Sequence, residues 1–141
     1  MKASLRLGLV SEFRYRVPED KTVPHVYPES DLFRSMPEVF ATAYLVGLVE
    51  WACMELLRPH LEEGEQSVGT QVELSHSAAT PPGLTVTLKV EVEEVNGRRV
   101  RFKVAAHDGI EPIGKGRHER FVIDPSRFMA KVKEKTVAGK A

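Results

Sequence analysis

The sequence predicts an α+β domain in which a curled antiparallel sheet wraps around one long central helix. Three observations lead there. The chain has 141 residues, the size of one compact domain, and folding at that size buries about two-thirds of the unfolded chain's surface. Between Val39 and Met54 the only strongly polar residues are Thr42 and Glu50. A helix there has no wet face, and a helix apolar all round is normally buried all round. From Ser67 onward, apolar and polar residues alternate in runs separated by turn signals, as successive half-buried strands do. In so small a domain a sheet must cover the helix, and a run of strands following a helix gives an antiparallel sheet packed against it.

Each element can be justified in turn. Glu12 to Val17 (EFRYRV) alternates charged and apolar residues and reads as a strand. The segment PEDKTVPHVYPES carries Pro18, Pro24 and Pro28 and reads as a loop. Ser35 followed by Glu38 has capping-box spacing, with Pro37 tolerated in the first turn, so the helix is expected to start there. It runs to Leu57 and stops before Pro59. SVGTQVELSH, residues 67–76, is the next strand, with Val68, Val72, Leu74 and His76 on one parity and therefore expected to face the helix. GLTVTLKVEVEEV presents Leu84, Val86, Leu88, Val90 and Val92 on one face, and Asn96-Gly97 is a strong hairpin signal. RVRFKVAA returns with Val100, Phe102 and Val104 inward, Asp108-Gly109 turns the chain, and GKGRHERFVID makes the last strand. The basic tail, residues 128–141, is expected to fray or dock loosely. Residues 1–141 thus read as one domain without internal repeats. Strand, long buried helix, then a run of antiparallel strands is the element order of a hot-dog fold, whose subunits usually pair and often place active sites at the interface.

Composition narrows the function. Lys plus Arg and Asp plus Glu are 20 each, a formal charge of zero, which argues against broad electrostatic binding of nucleic acid. A single cysteine, Cys53, excludes an internal disulfide and a cysteine-based zinc site. Nothing near it in sequence would stabilise a thiolate, so it reads as a core thiol. The N-terminal MKASLRLGLV is too short and too interrupted by Arg6 for a signal peptide. No apolar run approaches the roughly 20 residues that cross a bilayer. A soluble cytoplasmic protein is expected. No histidine pair has metal-ligand spacing and no glycine-rich phosphate loop is present, so neither a metal nor another cofactor is expected.

A few residues carry chemistry. Glu50 is the lone carboxylate of the apolar helix, and a charged carboxylate in a dry core must take up a proton or find partners. Thr42 lies eight residues earlier, about 80° around the helix, close enough to line the same side of a cleft. A carboxylate so placed suits base or nucleophile work, and it equally fits a structural ion pair reaching a helix edge. His76 shares the inward parity of its strand. It is either a satisfied core histidine or, if it meets Glu50, half of an acid/base pair. Gly69 interrupts the same strand, which marks a bulge or a close backbone approach. Its N–H could serve as an oxyanion donor, and plain packing room explains it as well. His25, His60, His107 and His118 stand beside charges and turns and read as surface residues.

The segments KTVPHVYPES, PEVFATAYLVGLVEWAC, SVGTQVELSHSAATPPGLTVT, AAHDG and GKGRHERFVI resemble the fluoroacetyl-CoA thioesterase-like family of the hot-dog superfamily, from about Val17 to Lys135. The resemblance implies hydrolysis of a short acyl-CoA by a homodimer, with coenzyme A entering only as part of the substrate. It implies a catalytic trio of Thr42, Glu50 and His76, with the Gly69 N–H facing the thioester oxygen and Arg120 near the pocket. The family's aromatic lid is matched at Phe33, whereas Met36 stands where a second lid aromatic is expected, which puts selectivity for a fluorinated acyl group in question. Two other readings fit part of this set. A hot-dog acyl-CoA hydratase or dehydratase would also use a carboxylate and a histidine, and a non-catalytic acyl-CoA binding module would keep the pocket without needing them.

Overall fold

The computed structural model describes residues 1–140. Five strands, β1 (Val10–Arg16), β2 (Gln66–Leu74), β3 (Thr85–Asn96), β4 (Arg99–His107) and β5 (Pro112–Ile123), accompany helices α1 (Asp31–Arg34), α2 (Thr42–Leu57) and α3 (Pro125–Gly139). The strands form one antiparallel sheet in the order β1-β3-β4-β5-β2, so β1 and β2 are its edges. The expected hot-dog architecture is present, with α2 held against the concave face. Leu45, Leu48, Val49, Ala52, Cys53, Leu56 and Leu57 of α2 are buried against Val86, Leu88, Val90 and Val92 of β3 and Val100, Phe102 and Val104 of β4. The alternation read from the sequence places those strand residues inward because side chains along a strand point to opposite faces in turn. Burial pushes the Cys53 thiol up to about 12, so it stays a neutral core group.

Four details differ from the sequence expectation. The Ser35–Glu38 capping box does not form. Ser30 caps the short α1 instead, accepting from the Phe33 N–H at 3.3 Å, while the Ser35 hydroxyl donates back to the Leu32 carbonyl. α2 begins only at Thr42 because the preceding backbone is claimed by tertiary partners. The Phe40 N–H donates to the Thr80 carbonyl at 2.8 Å, the Ala41 N–H to that of Lys21 at 3.2 Å, and the Phe40 ring is sunk in the core. An N–H that reaches a carbonyl across the fold satisfies the backbone as well as a helical turn does.

Second, α2 is not covered all round. Ala43, Gly47, Trp51 and Met54 form an exposed stripe, with Trp51 at 45% and Met54 at 41%. Third, β2 carries a bulge. Gly69 pairs with Arg120 and Gln71 with Glu119, leaving Thr70 without a partner residue. An extra residue reverses the alternation, so Val68 lies opposite Phe121 on the outer face while Val72 and Leu74 lie opposite His118 and Gly116. Fourth, the tail is a helix rather than a frayed end. Asp124 accepts from the Ser126 and Arg127 N–H groups, Pro125 occupies the first turn, and no residue of α3 is buried.

The end of β2 is pressed onto β5. The Ser75 and Ser77 N–H groups donate to the Lys115 and Ile113 carbonyls at 2.9 and 2.7 Å. A Cβ at Gly114 or Gly116 would overlap the Ser75 or Glu73 carbonyl oxygen. The two glycines of GKG thus set how closely the strand approaches, and with it the place of His76. Gly116→Ala is expected to lower stability by about 3 kcal/mol, since the obstacle is backbone and cannot rotate away, as read from the denaturant midpoint. Alkylation of Cys53 at mildly alkaline pH should occur only on unfolding; rapid labelling of the native protein would contradict the burial described above.

Candidate active site

Two clusters of polar side chains flank α2. The first joins the helix start to the end of β2, where the Thr42 hydroxyl lies 2.8 Å from His76 Nδ1. His76 Nε2 is buried and has no hydrogen-bond partner among the described residues. Burial holds the His76 ring below the ordinary histidine range, favouring neutral imidazole. A hydroxyl paired to a neutral imidazole with its other nitrogen free can pass a proton in either direction.

The second cluster explains why a carboxylate interrupts the apolar helix. Glu50 reaches across to Arg120, with Arg120 Nη1 donating to Oε2 at 3.0 Å. Arg120 is 3% exposed on the inward parity of β5, and a cation so buried must be paired and hydrogen-bonded. Its Nε donates to Ser67 Oγ at 2.8 Å and its Nη2 to the Ser67 carbonyl at 2.9 Å. Nη1 also lies 3.0 Å from His118 Nε2. Gly69 is a glycine because this cluster leaves no room beside it. A Cβ there would meet Glu50 Oε2 at 2.7 Å, His118 Cε1 at 3.2 Å and Arg120 Nη1 at 3.4 Å. The Glu50 side chain keeps 38% of its surface and opens into a crevice of about 240 Å³ beside the β2 edge, lined by Val46, Gly69, Gln71, Val72 and His118. A larger hollow of about 620 Å³, lined by Glu12, Lys89, His107 and Lys115, lies on the outer face of the sheet and holds none of these groups.

The structure therefore pairs Thr42 with His76, and Glu50 with Arg120 and Gly69, but does not join the two pairs within one chain. Eight helical residues separate Thr42 from Glu50 by about 12 Å along the axis. Phe33 packs on Tyr27 with ring centroids 5.3 Å apart, and Met36 is 49% exposed just beyond α1. His118, expected at the surface, is 2% exposed. Its inward parity with Arg120 and Val122 was readable in GRHERFV. The bulge was signalled by Gly69, one residue before it, whereas Ser67 had no such signal.

Comparison with known proteins places this geometry. Residues 17–126 match the model of the fluoroacetyl-CoA-specific thioesterase family. A fluoroacetyl-CoA thioesterase from Streptantibioticus cattleyicolor is 52% identical over 139 residues, 99% of this chain and 100% of that one. A solved fluoroacetyl-CoA thioesterase superposes with a TM-score of 0.91 at 52% identity, covering 93% of this chain and 97% of the other. A thioesterase superfamily member from Thermus thermophilus is similar at a TM-score of 0.85 and 28% identity, covering 96% of each chain.

Titration of His76 by NMR should show its midpoint below the ordinary histidine range. Burial disfavours the charged ring, so the proton is taken up only when the pH falls further than for an exposed histidine. A midpoint above that range would require a charged partner absent from this geometry.

Proposed function

This chain belongs to the fluoroacetyl-CoA-specific thioesterase family, and from that premise we propose that it cleaves short acyl-CoA thioesters at a site shared by two copies of the chain. The observation that carries the reaction class is the whole-length identity to a fluoroacetyl-CoA thioesterase. The chain is a thioester hydrolase, and the structure of one variant of a related fluoroacetyl-CoA-specific thioesterase holds fluoroacetate and CoA together.

The shared site follows from the two separated clusters. Two α2 helices related by a two-fold axis near Val46 would run antiparallel and bring Thr42 of one opposite Glu50 of the other. The exposed stripe of α2 is narrow enough at Ala43 and Gly47 for such an approach, and β2 is an open edge with Val72 44% exposed, able to pair with its copy. The thioester would then lie between the Thr42–His76 pair of one subunit and the Glu50–Gly69 pair of the other.

In this reading the thioester oxygen lies against the Gly69 N–H, a contribution of about 3 kcal/mol to the oxyanion. Arg120 holds Glu50 Oε2 and leaves Oε1 directed to the reaction. Glu50 then acts by one of two routes. It attacks the carbonyl carbon, expelling CoA thiolate and leaving a mixed anhydride that water hydrolyses, or it takes a proton from a water that attacks directly. In the first route the neutral His76, steadied by Thr42, takes the proton from the water that opens the anhydride and passes it to the CoA thiolate; in the second it relays to the departing sulfur the proton that Glu50 took from water. The chemistry requires no metal or redox group. Phe33 and Met36 border the acyl end, and a flexible methionine in place of a ring favours acceptance of several small acyl groups.

The test is release of free thiol from a panel of short acyl-CoAs, fluoroacetyl-CoA included. Glu50→Gln and His76→Ala should each lose at least about 100-fold in kcat. Mixing the two inactive variants and letting subunits exchange should restore about a quarter of wild-type activity, because half the dimers are then mixed and each mixed dimer has one intact site. No recovery from a mixture shown to contain mixed dimers would confine the site to one chain. No thiol release from any thioester would end the hydrolase reading.

A further inference from the structure

We propose that His118 is a positioning residue that, as the neutral Nδ1–H tautomer, locks Arg120 and through it fixes the Glu50 carboxylate at the reaction site. The inference rests on the reading of Glu50 as the reacting carboxylate. Its geometric basis is a chain of contacts whose donor and acceptor roles are forced. His118 Nδ1 is 2.8 Å from the Gln71 carbonyl oxygen, which can only accept, so Nδ1 carries the hydrogen. His118 Nε2 is 3.0 Å from Arg120 Nη1, which can only donate, so Nε2 presents its lone pair. The ring is thus specified both as neutral and as one tautomer by its neighbours.

The same contacts account for the orientation of the guanidinium. Four of its five N–H groups are used, two on Ser67, one on His118 and one on Glu50. Without the His118 acceptor, Nη1 keeps only Glu50 as partner, and the guanidinium can turn about the bonds that Ser67 provides. A proton on Nε2 would set two donors face to face in a site where both rings of contact are buried. Burial and the Arg120 charge hold the ring below the ordinary histidine range, against the opposing pull of the Gln71 carbonyl, Glu50 and Glu119. Phe102 of β4 pairs with His118 across the sheet and offers no charge. Glu73 of β2, Arg101 of β4 and Arg117 of β5 border the small hollow on its other side.

His118→Gln and His118→Asn separate positioning from packing. The glutamine oxygen extends to the place of Nε2 and can accept from Arg120, whereas the asparagine amide reaches only the place of Nδ1 and can only replace the bond to Gln71. If His118 works through Arg120, the asparagine variant loses about 100-fold in kcat with little change in KM, the size of effect expected when a reacting group is displaced by about 1 Å. The glutamine variant then recovers most of that loss. Equal loss in both variants alongside equal loss of Tm would reduce His118 to a packing residue, and wild-type kcat in a folded asparagine variant would overturn the proposal. Glu50→Gln is run in parallel. If that variant stays active, the assignment of Glu50 itself fails; if it is inactive while His118→Asn is not, only the role given to His118 falls.

Discussion

A single buried cation organises this molecule. Arg120 sits at 3% exposure on the concave face of the sheet, where an unpaired charge would be severely destabilising. Every nearby peculiarity of the sequence answers to it. Glu50 interrupts an apolar helix to neutralise it, Ser67 supplies both a hydroxyl and a carbonyl, His118 supplies a lone pair, and Gly69 gives up its side chain to make space. An ion pair of this kind is weak as a source of stability, because desolvation of the partners offsets much of their attraction. Its value is directional. Glu50 emerges from the helix with one oxygen held by Arg120 and its side chain lining the crevice at the β2 edge.

Much of this was legible in the sequence, and the parts that were not share a cause. The strands could be read because alternation is local: Val86, Leu88, Val90 and Val92, then Val100, Phe102 and Val104, are buried where their parity put them. The oddity of Glu50 was equally visible, since a carboxylate in an apolar run demands a reason. What could not be read were decisions taken by distant backbone. The helix starts at Thr42 instead of beside Ser35 because carbonyls of Lys21 and Thr80 claim the intervening amides. A capping box is a local pattern, and a tertiary partner at similar distance competes with it on equal terms. His118 is a different case. Its inward parity was available, but charged neighbours on both sides in sequence made it look like a surface residue.

The pairing of Thr42 with His76 on one side and Glu50 with Gly69 on the other also shows how a helix sets the scale of a site. Two turns of α2 hold the pairs at a fixed axial offset, with the core packing of Leu45, Leu48 and Val49 between them preventing slippage. Neither pair can approach the other by side-chain motion alone. The stripe at Ala43 and Gly47 is exposed and β2 is an edge of the sheet, and in the shared-site proposal these are the surfaces that a second copy would meet.

The bulge at Thr70 has a consequence for descent. In a regular strand Gly69 and His76 have opposite parity and would face opposite sides of the sheet; with one supernumerary residue between them, Gly69 lies against Glu50 and His76 against Thr42, both on the side of α2. The loss of a single codon there would return the strand to strict alternation and turn Gly69 and Ser67 away from Arg120, with Thr42, Glu50 and His76 still encoded. Within this fold, then, a lineage could shed or regain the arrangement through one in-frame deletion or insertion, and an alignment that scored only the identities of Thr42, Glu50 and His76 would record no change.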